Sequence, residues 1–401
     1  MTQEQCDVRF QDADGTIRFA TPEMVDIFRR VVHGWPLSEK NDTFSAFAEV
    51  RATQTRWVIE FPESEKRKTR KHDPINAICD LIVELNWSRL RQKNELMCLH
   101  AAGLQMGNSL LVLPSRRRAG KSTLTAELAR RGHHVFTDDI LAVQLNSSGV
   151  ADGLATGVAP RLRLPLPAGA SPAFSRWVEK DPGPANAQYK YLTSAPVAEY
   201  GQACPIGGIV TLERVEDDID PVFSEIDIGE ILPILIYQNF GRFANAQRIL
   251  SVFSAIAHKL PCLKLTYGNF ERAADLLEAS VDEGVLTKGA IARTDHAPLP
   301  DFSASKAPFD PSKAYRRRPG FKCVETGNEA FISDASGIGI FRLGPGMMPI
   351  WVLLEEPATV AEVTSILTEV FPEADRETLY RDTRKAFRKL NGSGLIEAVH
   401  E

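Results

Sequence analysis

The residues able to do chemistry crowd into one stretch, "LHAAGLQMGNSLLVLPSRRRAGKSTLTAELARRGHHVFTDDILAVQ". Within it, Gly120, Lys121, Ser122 and Thr123 follow an apolar run, "SLLVLP", and lead into an amphipathic one. A phosphate-binding loop needs that strand–loop–helix order. Backbone N–H groups and a helix N-terminus surround the anion, the lysine reaches its terminal phosphates, and the hydroxyl ligates Mg2+. The first half of the loop departs from the pattern: Ser115 stands where glycine is usual, and Arg116, Arg117, Arg118 and Ala119 fill a stretch that small residues ordinarily let curl. The guanidiniums could supplement the backbone donors around a nucleotide, or grip the phosphate of a phosphorylated partner. A basic, solvated turn with a chance G-K-S-T is the bland alternative.

Asp138 and Asp139 close the strand "HHVFT". Adjacent strand residues point to opposite faces, so the pair can serve one site only where the chain turns. There one carboxylate would take the proton of an acceptor hydroxyl and the other would hold Mg2+. A surface Asp-Asp turn is the competing account. His100, between apolar neighbours, fits a satisfied core histidine as well as a catalytic partner. Arg161 and Arg163 in "PRLRLP" share a face if the segment is extended, which suits phosphate or carboxylate as well as a solvated edge.

These groups need elements to hold them. "CLHAAGLQM-GN-SLLVLP" reads as a hairpin turning at Gly107-Asn108, followed by a helix over Ser122–Arg131 that Gly132 stops. "HHVFTDD" and "ILAVQLN" read as strands. Ile75, Ile78, Ile82 and Leu85 fall at helical spacing across 74–91, after an Asp73-Pro74 cap. Residues 1–72, with "GTIRFAT" and "AFAEVRATQTRWVIEF", form a β-rich accessory lobe without a chemical motif. A Pro-rich linker over 288–314 separates all this from a last domain, 315–401.

Composition bounds the function. The 401 residues carry 47 Lys plus Arg against 52 Asp plus Glu, a net charge of −5, which argues against nucleic acid as a partner. The six cysteines are scattered without zinc spacing. The polar, acidic N-terminus is no signal peptide, and no apolar run nears the roughly 20 residues a bilayer needs, so the expectation is a soluble cytoplasmic protein with no membrane partner.

In the last domain, "GNEAFIS" and "GIGIFRL" make strands around a Ser333–Ser336 turn, and a short apolar helix starts at Ile350. Thr359 and Glu362 form a capping box for a helix bearing Val363, Ile366, Leu367 and Val370. The final helix turns Leu379, Thr383, Ala386, Phe387 and Leu390 inward and carries Arg381, Arg384, Lys385, Arg388 and Lys389 on the opposite face.

Taken together, the stretch quoted first resembles the core of the HPr kinase/phosphorylase family: a histidine before the hairpin, G-K-S/T, a helix ending in R-G, then Asp-Asp after a short strand. Weaker similarity continues through "PRLRLP", "YKYL", "CPIGGIVTLER" and "KLPCLKLTYGNFERAADLLE". The resemblance implies an α/β (α+β) P-loop kinase core over 73–287 that uses ATP, or another nucleoside triphosphate, with Mg2+. It assigns the nucleotide to Ser115–Thr123 with Arg161 and Arg163, the metal to Ser122 and Asp139, and proton transfer to Asp138 or Asp139 assisted by His100, with Lys121 on the phosphates. Kinases of this family form hexamers, so a homo-oligomer is implied as well.

Residues 315–401 resemble a PqqD-like, winged-helix-like domain, the leader-recognition element of ribosomal peptide modification systems. That implies a leader peptide added as a strand beside Ile340, Phe341, Arg342 and Leu343 and lying against Arg381, Arg384, Lys385 and Arg388. The basic face suits an acidic leader. The combined expectation is a Ser/Thr kinase of a ribosomally made precursor peptide. The rivals are a degenerate adaptor that scaffolds a peptide for another enzyme, and a serine kinase or phosphorylase acting on a folded carrier protein.

Overall fold

The computed structural model describes residues 6–10, 15–39, 46–54, 56–62, 68–93, 96–114, 119–240, 245–286, 308–333 and 339–399. The chain opens with β1 (Cys6–Phe10), β2 (Gly15–Phe19), α1 (Pro22–Val31), β3 (Leu37–Glu39), β4 (Ala48–Ala52), β5 (Trp57–Phe61) and β6 (Lys68–His72). Its sheet runs β3-β1-β2-β4-β5-β6, antiparallel except between β2 and β4. α1 corrects the all-strand reading of this region. Met24, Val25, Phe28 and Val31 recur at helical spacing and are buried, with Pro22 in the first turn.

α2 (Pro74–Gln92) starts where the cap predicts: the Asp73 carboxylate accepts from the N–H groups of Ile75 and Asn76. Its Ile75, Ile78, Ile82 and Leu85 enter one core with Val8, Phe19 and Phe28 of the N-terminal sheet, and with Val158, Ala159 and Tyr191 from further along the chain. Gly34 and Gly157 cross so closely that a β-carbon on Gly34 would stand 2.7 Å from Gly157 Cα. The Trp35 indole donates to the Thr156 carbonyl beside them. The N-terminal sheet is therefore sewn to the segment that leads into Arg161.

The middle of the chain supplies β7 (Met97–His100), β8 (Ala102–Met106), β9 (Ser109–Leu113), α3 (Lys121–Arg130), β10 (His134–Thr137), β11 (Ile140–Leu145), β12 (Ala151–Leu154), β13 (Arg161–Arg163), α4 (Pro172–Lys180), β14 (Tyr189–Tyr191), β15 (Ala203–Arg214), β16 (Val222–Glu225), α5 (Ile228–Gln238), α6 (Ala246–Lys259), β17 (Cys262–Tyr267) and α7 (Phe270–Asp282). The main sheet runs β10-β8-β9-β15-β12-β11-β7, with β17 and then β16 branching from β15. β8 and β9 form the expected hairpin, with Gly107 at φ 61 in its turn. His100 lies outside that hairpin, because β7 pairs with β11. β9, β15 and β17 are mutually parallel, so their C-terminal ends share one edge.

α3 is held firmly. Leu124, Ala126 and Leu128 pack in one core with Phe270, Ala273 and Leu277 of α7. Glu127, fully buried, is paired by Arg130 at 2.6 Å and Arg131 at 2.7 Å. Arg131 also reaches Asp275 and Glu278, stapling the end of α3 to α7. Removing one partner of such a set strands a buried charge.

Most of α5 and α6 cluster with the C-terminal residues into a second compact unit; the rest of the chain to residue 293 forms the first. The second unit adds β18 (Tyr315–Arg317), β19 (Cys323–Thr326), β20 (Glu329–Ser333), β21 (Ile340–Leu343), α8 (Met348–Leu353), α9 (Val360–Val370), α10 (Arg376–Gly392) and β22 (Ile396–Ala398). β19, β20 and β21 make an antiparallel sheet with β21 at its edge, and β18 pairs with β22. Thr359 and Glu362 form the capping box. Thr383, Ala386, Phe387 and Leu390 of α10 are buried as the spacing predicts, whereas Leu379 is half-buried. On α9 only part of the apolar set turns inward: Val363 and Leu367 are buried, Ile366 and Val370 exposed. The apolar helix begins at Met348, two residues earlier than expected. Linker residues 288–307 and turn residues 334–336 lie outside the described residues. Among the described residues no helix is long and apolar enough to cross a membrane.

Candidate functional site

The charged groups meet where three elements end. Gly120 caps α3 at φ 91, a left-handed conformation, and Lys121, Ser122 and Thr123 form the first turn. Across from it, β10 ends at Thr137, whose hydroxyl accepts from the N–H groups of Asp139 and Ile140 and shapes the Asp138–Asp139 turn. β7 delivers His100. The β7–β11 register sets His100 opposite Ile140, next to Asp139, and His100 Nε2 lies 2.6 Å from Asp139 Oδ1. Lys121 Nζ is 3.7 Å from the same oxygen, an ion pair beyond hydrogen-bond reach. That ammonium is buried and has no hydrogen-bond partner among the described residues. The backbone N–H of Arg161 donates to Asp138 Oδ2 at 2.8 Å.

The two carboxylates are pushed apart. Burial, reinforced by the Asp139 charge, raises Asp138 to about 6 against the pull of the Arg161 N–H and the charges of Arg161 and Lys121. Burial acts on Asp139 too, but the His100 hydrogen bond and the charges of Lys121, His100 and Arg161 outweigh it and hold that carboxyl below its usual range. Asp139 lies in a pit: 44% of its side-chain surface still meets solvent. Burial lowers Lys121, opposed by both aspartates. One carboxylate is thus suited to exchange a proton near neutrality and the other to stay charged.

A small cavity behind the pair is lined by Cys79, Asn86, Thr156, Arg161 and Tyr191 as well as both aspartates. Burial raises the Cys79 thiol, which disfavours its thiolate form. The Arg161 guanidinium stacks on Tyr189 at 4.5 Å. Arg163 shares that ring at 5.5 Å, and its guanidinium donates to the Tyr189 hydroxyl. Ser115, Arg116, Arg117 and Arg118 lie outside the described residues; Ala119 begins the described part of the loop. Sequence reasoning missed Tyr267, whose hydroxyl donates to the Ala119 carbonyl at 2.9 Å from 148 residues away. It also missed Thr137, although a threonine two residues before an Asp is a readable turn signal.

Among the described residues no three His, Cys, Asp or Glu side chains gather as a metal site. Mg2+ binds through few carboxylates plus substrate phosphates, so Ser122 and Asp139 fit it as part of a nucleotide complex. A buried lysine at a helix N-terminus, without a hydrogen bond among the described residues, fits the phosphates themselves. Replacing Gly120 with Ala should damage this corner. The new β-carbon would fall 2.1 Å from the Tyr267 hydroxyl at a φ that L residues avoid. The expected cost is about 1–3 kcal/mol, read as a lower melting temperature.

In the second unit, β21 pairs only with β20 among the described residues and so has one edge open there. A groove of about 560 Å³ lies between the start of α8 and the helices α9 and α10, lined by Met347, Ile350, Leu367, Phe371, Leu379 and Ala386 together with Asp382, Lys385 and Lys389. The structure divides the expected peptide-binding set. Lys385 borders the groove, while Arg388 lies over Phe309, and Arg381 and Arg384 are exposed residues outside the lining. On the strand, Leu343 is buried, Arg342 pairs with Glu329, and Ile340 and Phe341 are half-buried.

Residues 332–396 match the family model of coenzyme PQQ synthesis protein D (PqqD), so the C-terminus carries a PqqD domain. Two solved structures are similar to parts of the chain. TbiB1 in complex with the TbiA(beta) leader peptide is 23% identical, over 21% of this chain and 99% of that one, with a TM-score of 0.20. The Hpr(Ser) kinase/phosphatase from Coxiella burnetii is 14% identical, over 47% of this chain and 96% of that one, with a TM-score of 0.25. No curated protein sequence matches the chain.

Proposed function

We propose that this chain is an ATP-dependent kinase acting on Ser or Thr hydroxyls of a ribosomally made precursor peptide, captured through its leader by the PqqD domain. One observation carries the reading. A buried lysine ammonium at a helix N-terminus, without a hydrogen-bond partner among the described residues, faces a His-anchored carboxylate and a second carboxylate raised to about 6, on a chain that also bears a PqqD domain.

Mg-ATP supplies the transferable γ-phosphoryl group. Lys121 neutralises phosphate charge that the buried pocket would otherwise leave exposed to Asp139. Ser122 and Asp139 are the residues that would hold Mg2+, and His100 fixes the Asp139 carboxylate through its short hydrogen bond. The Arg161 N–H occupies Asp138 Oδ2, which leaves Oδ1 to accept the proton of the acceptor hydroxyl. The acceptor oxygen then bonds to the γ-phosphorus as the bond to the ADP oxygen breaks. The loop arginines would act as built-in positive charges on the same phosphates.

On the second unit, the open β21 edge and the groove with its two lysines favour an acidic leader that carries an apolar anchor. Joining both functions on one chain raises the local acceptor concentration to roughly millimolar, so the catalytic site needs little affinity of its own for the core peptide. Reversing the lysine charges with Lys385→Glu and Lys389→Glu should weaken an acidic peptide, selected on the full chain from a displayed library, about tenfold while Mg-ATP affinity holds. Fluorescence anisotropy and calorimetry read the two arms. Equal peptide affinity in the variant would remove the groove from the reading.

The nucleotide half is tested by titrating Mg-ATP into the full chain. Saturable binding supports it. No binding up to millimolar nucleotide, with the fold confirmed by circular dichroism, favours an adaptor instead.

A further inference from the structure

Given the phosphate-site reading above, on which this step rests, we infer that Arg214 and Tyr267 build a second wall of that site: Tyr267 positions the end of the loop and Arg214 binds phosphate. The two are the last residues of β15 and β17, and the parallel register sets them side by side. β9, which feeds the loop, is parallel to β15, so all three strands release their chains at one edge. In open α/β sheets ligands bind beyond the carboxyl ends of the strands.

Tyr267 is 1% exposed, and its hydroxyl donates to the Ala119 carbonyl at 2.9 Å. The C=O and N–H of a planar trans peptide point in opposite directions. Tying the Ala119 carbonyl to Tyr267 therefore turns the Gly120 N–H away from that side. Gly120 then bends the chain into α3, whose first N–H groups lack partners inside the helix. The tyrosine thus fixes the direction in which the loop's last amides face. Burial pushes this phenol up to about 12 against the neighbouring Arg214 charge, so it keeps the proton that it donates.

Arg214 points at the same corner: its Cδ is 3.9 Å from where a β-carbon on Gly120 would be. The residue is exposed, and its guanidinium makes no hydrogen bond or ion pair among the described residues. Three of the acidic groups nearby along the chain are engaged elsewhere, while Glu216 and Asp217 are exposed and form no ion pair with Arg214 among the described residues. Lys264 holds Glu213, and Arg272 holds Asp218 and Asp220. A guanidinium beside a phosphate-loop glycine, unpaired among the described residues, is a natural phosphate donor.

The test is calorimetry on the full chain with Mg-ATP, then with tripolyphosphate, comparing the native protein with Tyr267→Phe, Arg214→Ala and Arg214→Lys. Tyr267→Phe should weaken both ligands about fivefold, and Arg214→Ala about tenfold, with partial recovery in Arg214→Lys. Melting temperature and peptide binding should stay near native in all three. Native-like affinity in both Tyr267→Phe and Arg214→Ala, when the native protein binds, overturns this inference and leaves the phosphate site standing. A Tyr267→Phe protein that loses melting temperature and peptide binding in parallel overturns the positioning role. A native protein that binds neither ligand overturns the phosphate site and this wall with it.

Discussion

Asp138→Asn is expected to slow phosphoryl transfer by about 10³-fold while making the ligand-free protein more stable above pH 6. The rate loss follows from removing the proton acceptor, an effect that general base catalysis usually sets at 10²–10⁴-fold. The stability gain follows from linkage. A carboxyl whose folded pKa is raised, here to about 6, favours folding fully below the unfolded value near 4. That advantage is lost as the pH climbs through the folded value. At pH 7 and above the native protein therefore carries a charged Asp138 at a penalty on the order of 1–3 kcal/mol, imposed by burial and Asp139. Asparagine keeps an oxygen for the Arg161 N–H and carries no charge. Thermal melts of both proteins without Mg2+ or nucleotide at pH 4 and pH 7.5 should show the gap only at the higher pH. A residue that merely shapes the turn would lose stability and rate together.

Lys121→Ala carries the second large effect: Mg-ATP affinity and turnover should each fall by about 10²–10³-fold. The ammonium is already desolvated and lacks a hydrogen bond among the described residues, so bound phosphate gains a contact whose solvation cost the fold has met in advance. Peptide affinity at the PqqD domain should be unaffected. Calorimetry reads the first quantity and a coupled ADP assay the second. A variant that still binds Mg-ATP within fivefold of native would take Lys121 out of the nucleotide site.

Much of this was legible in the chain, for reasons that differ by residue. Gly107-Asn108, Asp73-Pro74 and the Thr359–Glu362 box are local signals, each written within four residues, and the structure has each element at that place. The amphipathic α1 was lost among the strands because its ten residues are too few to stand out from a β-rich context. His100 was found by family order, but its route to Asp139 was not. A histidine two residues before the β8/β9 hairpin reads as part of it, whereas the structure pairs β7 with β11. The coupling of Arg161 to Asp138 runs through a backbone N–H, which no side-chain pattern can announce. Tyr267 lies beyond any local signal, since only the parallel β15–β17 pairing brings it beneath Ala119. On α9 the heptad-like run did not separate Val363 and Leu367 from Ile366 and Val370, because helical spacing marks a stripe and not its buried half.

The most direct test of the account is phosphate transfer itself. The full chain is incubated with Mg-ATP and a peptide selected on it from a displayed library, extended by a Ser- and Thr-rich tail, and the peptide is weighed by mass spectrometry. The account predicts a gain of one phosphate on a Ser or Thr of the tail, absent in Asp138→Asn and reduced by Lys385→Glu with Lys389→Glu. A native protein that binds both Mg-ATP and the peptide yet leaves the peptide's mass unchanged would contradict it, and would make the chain a nucleotide-binding adaptor rather than a kinase.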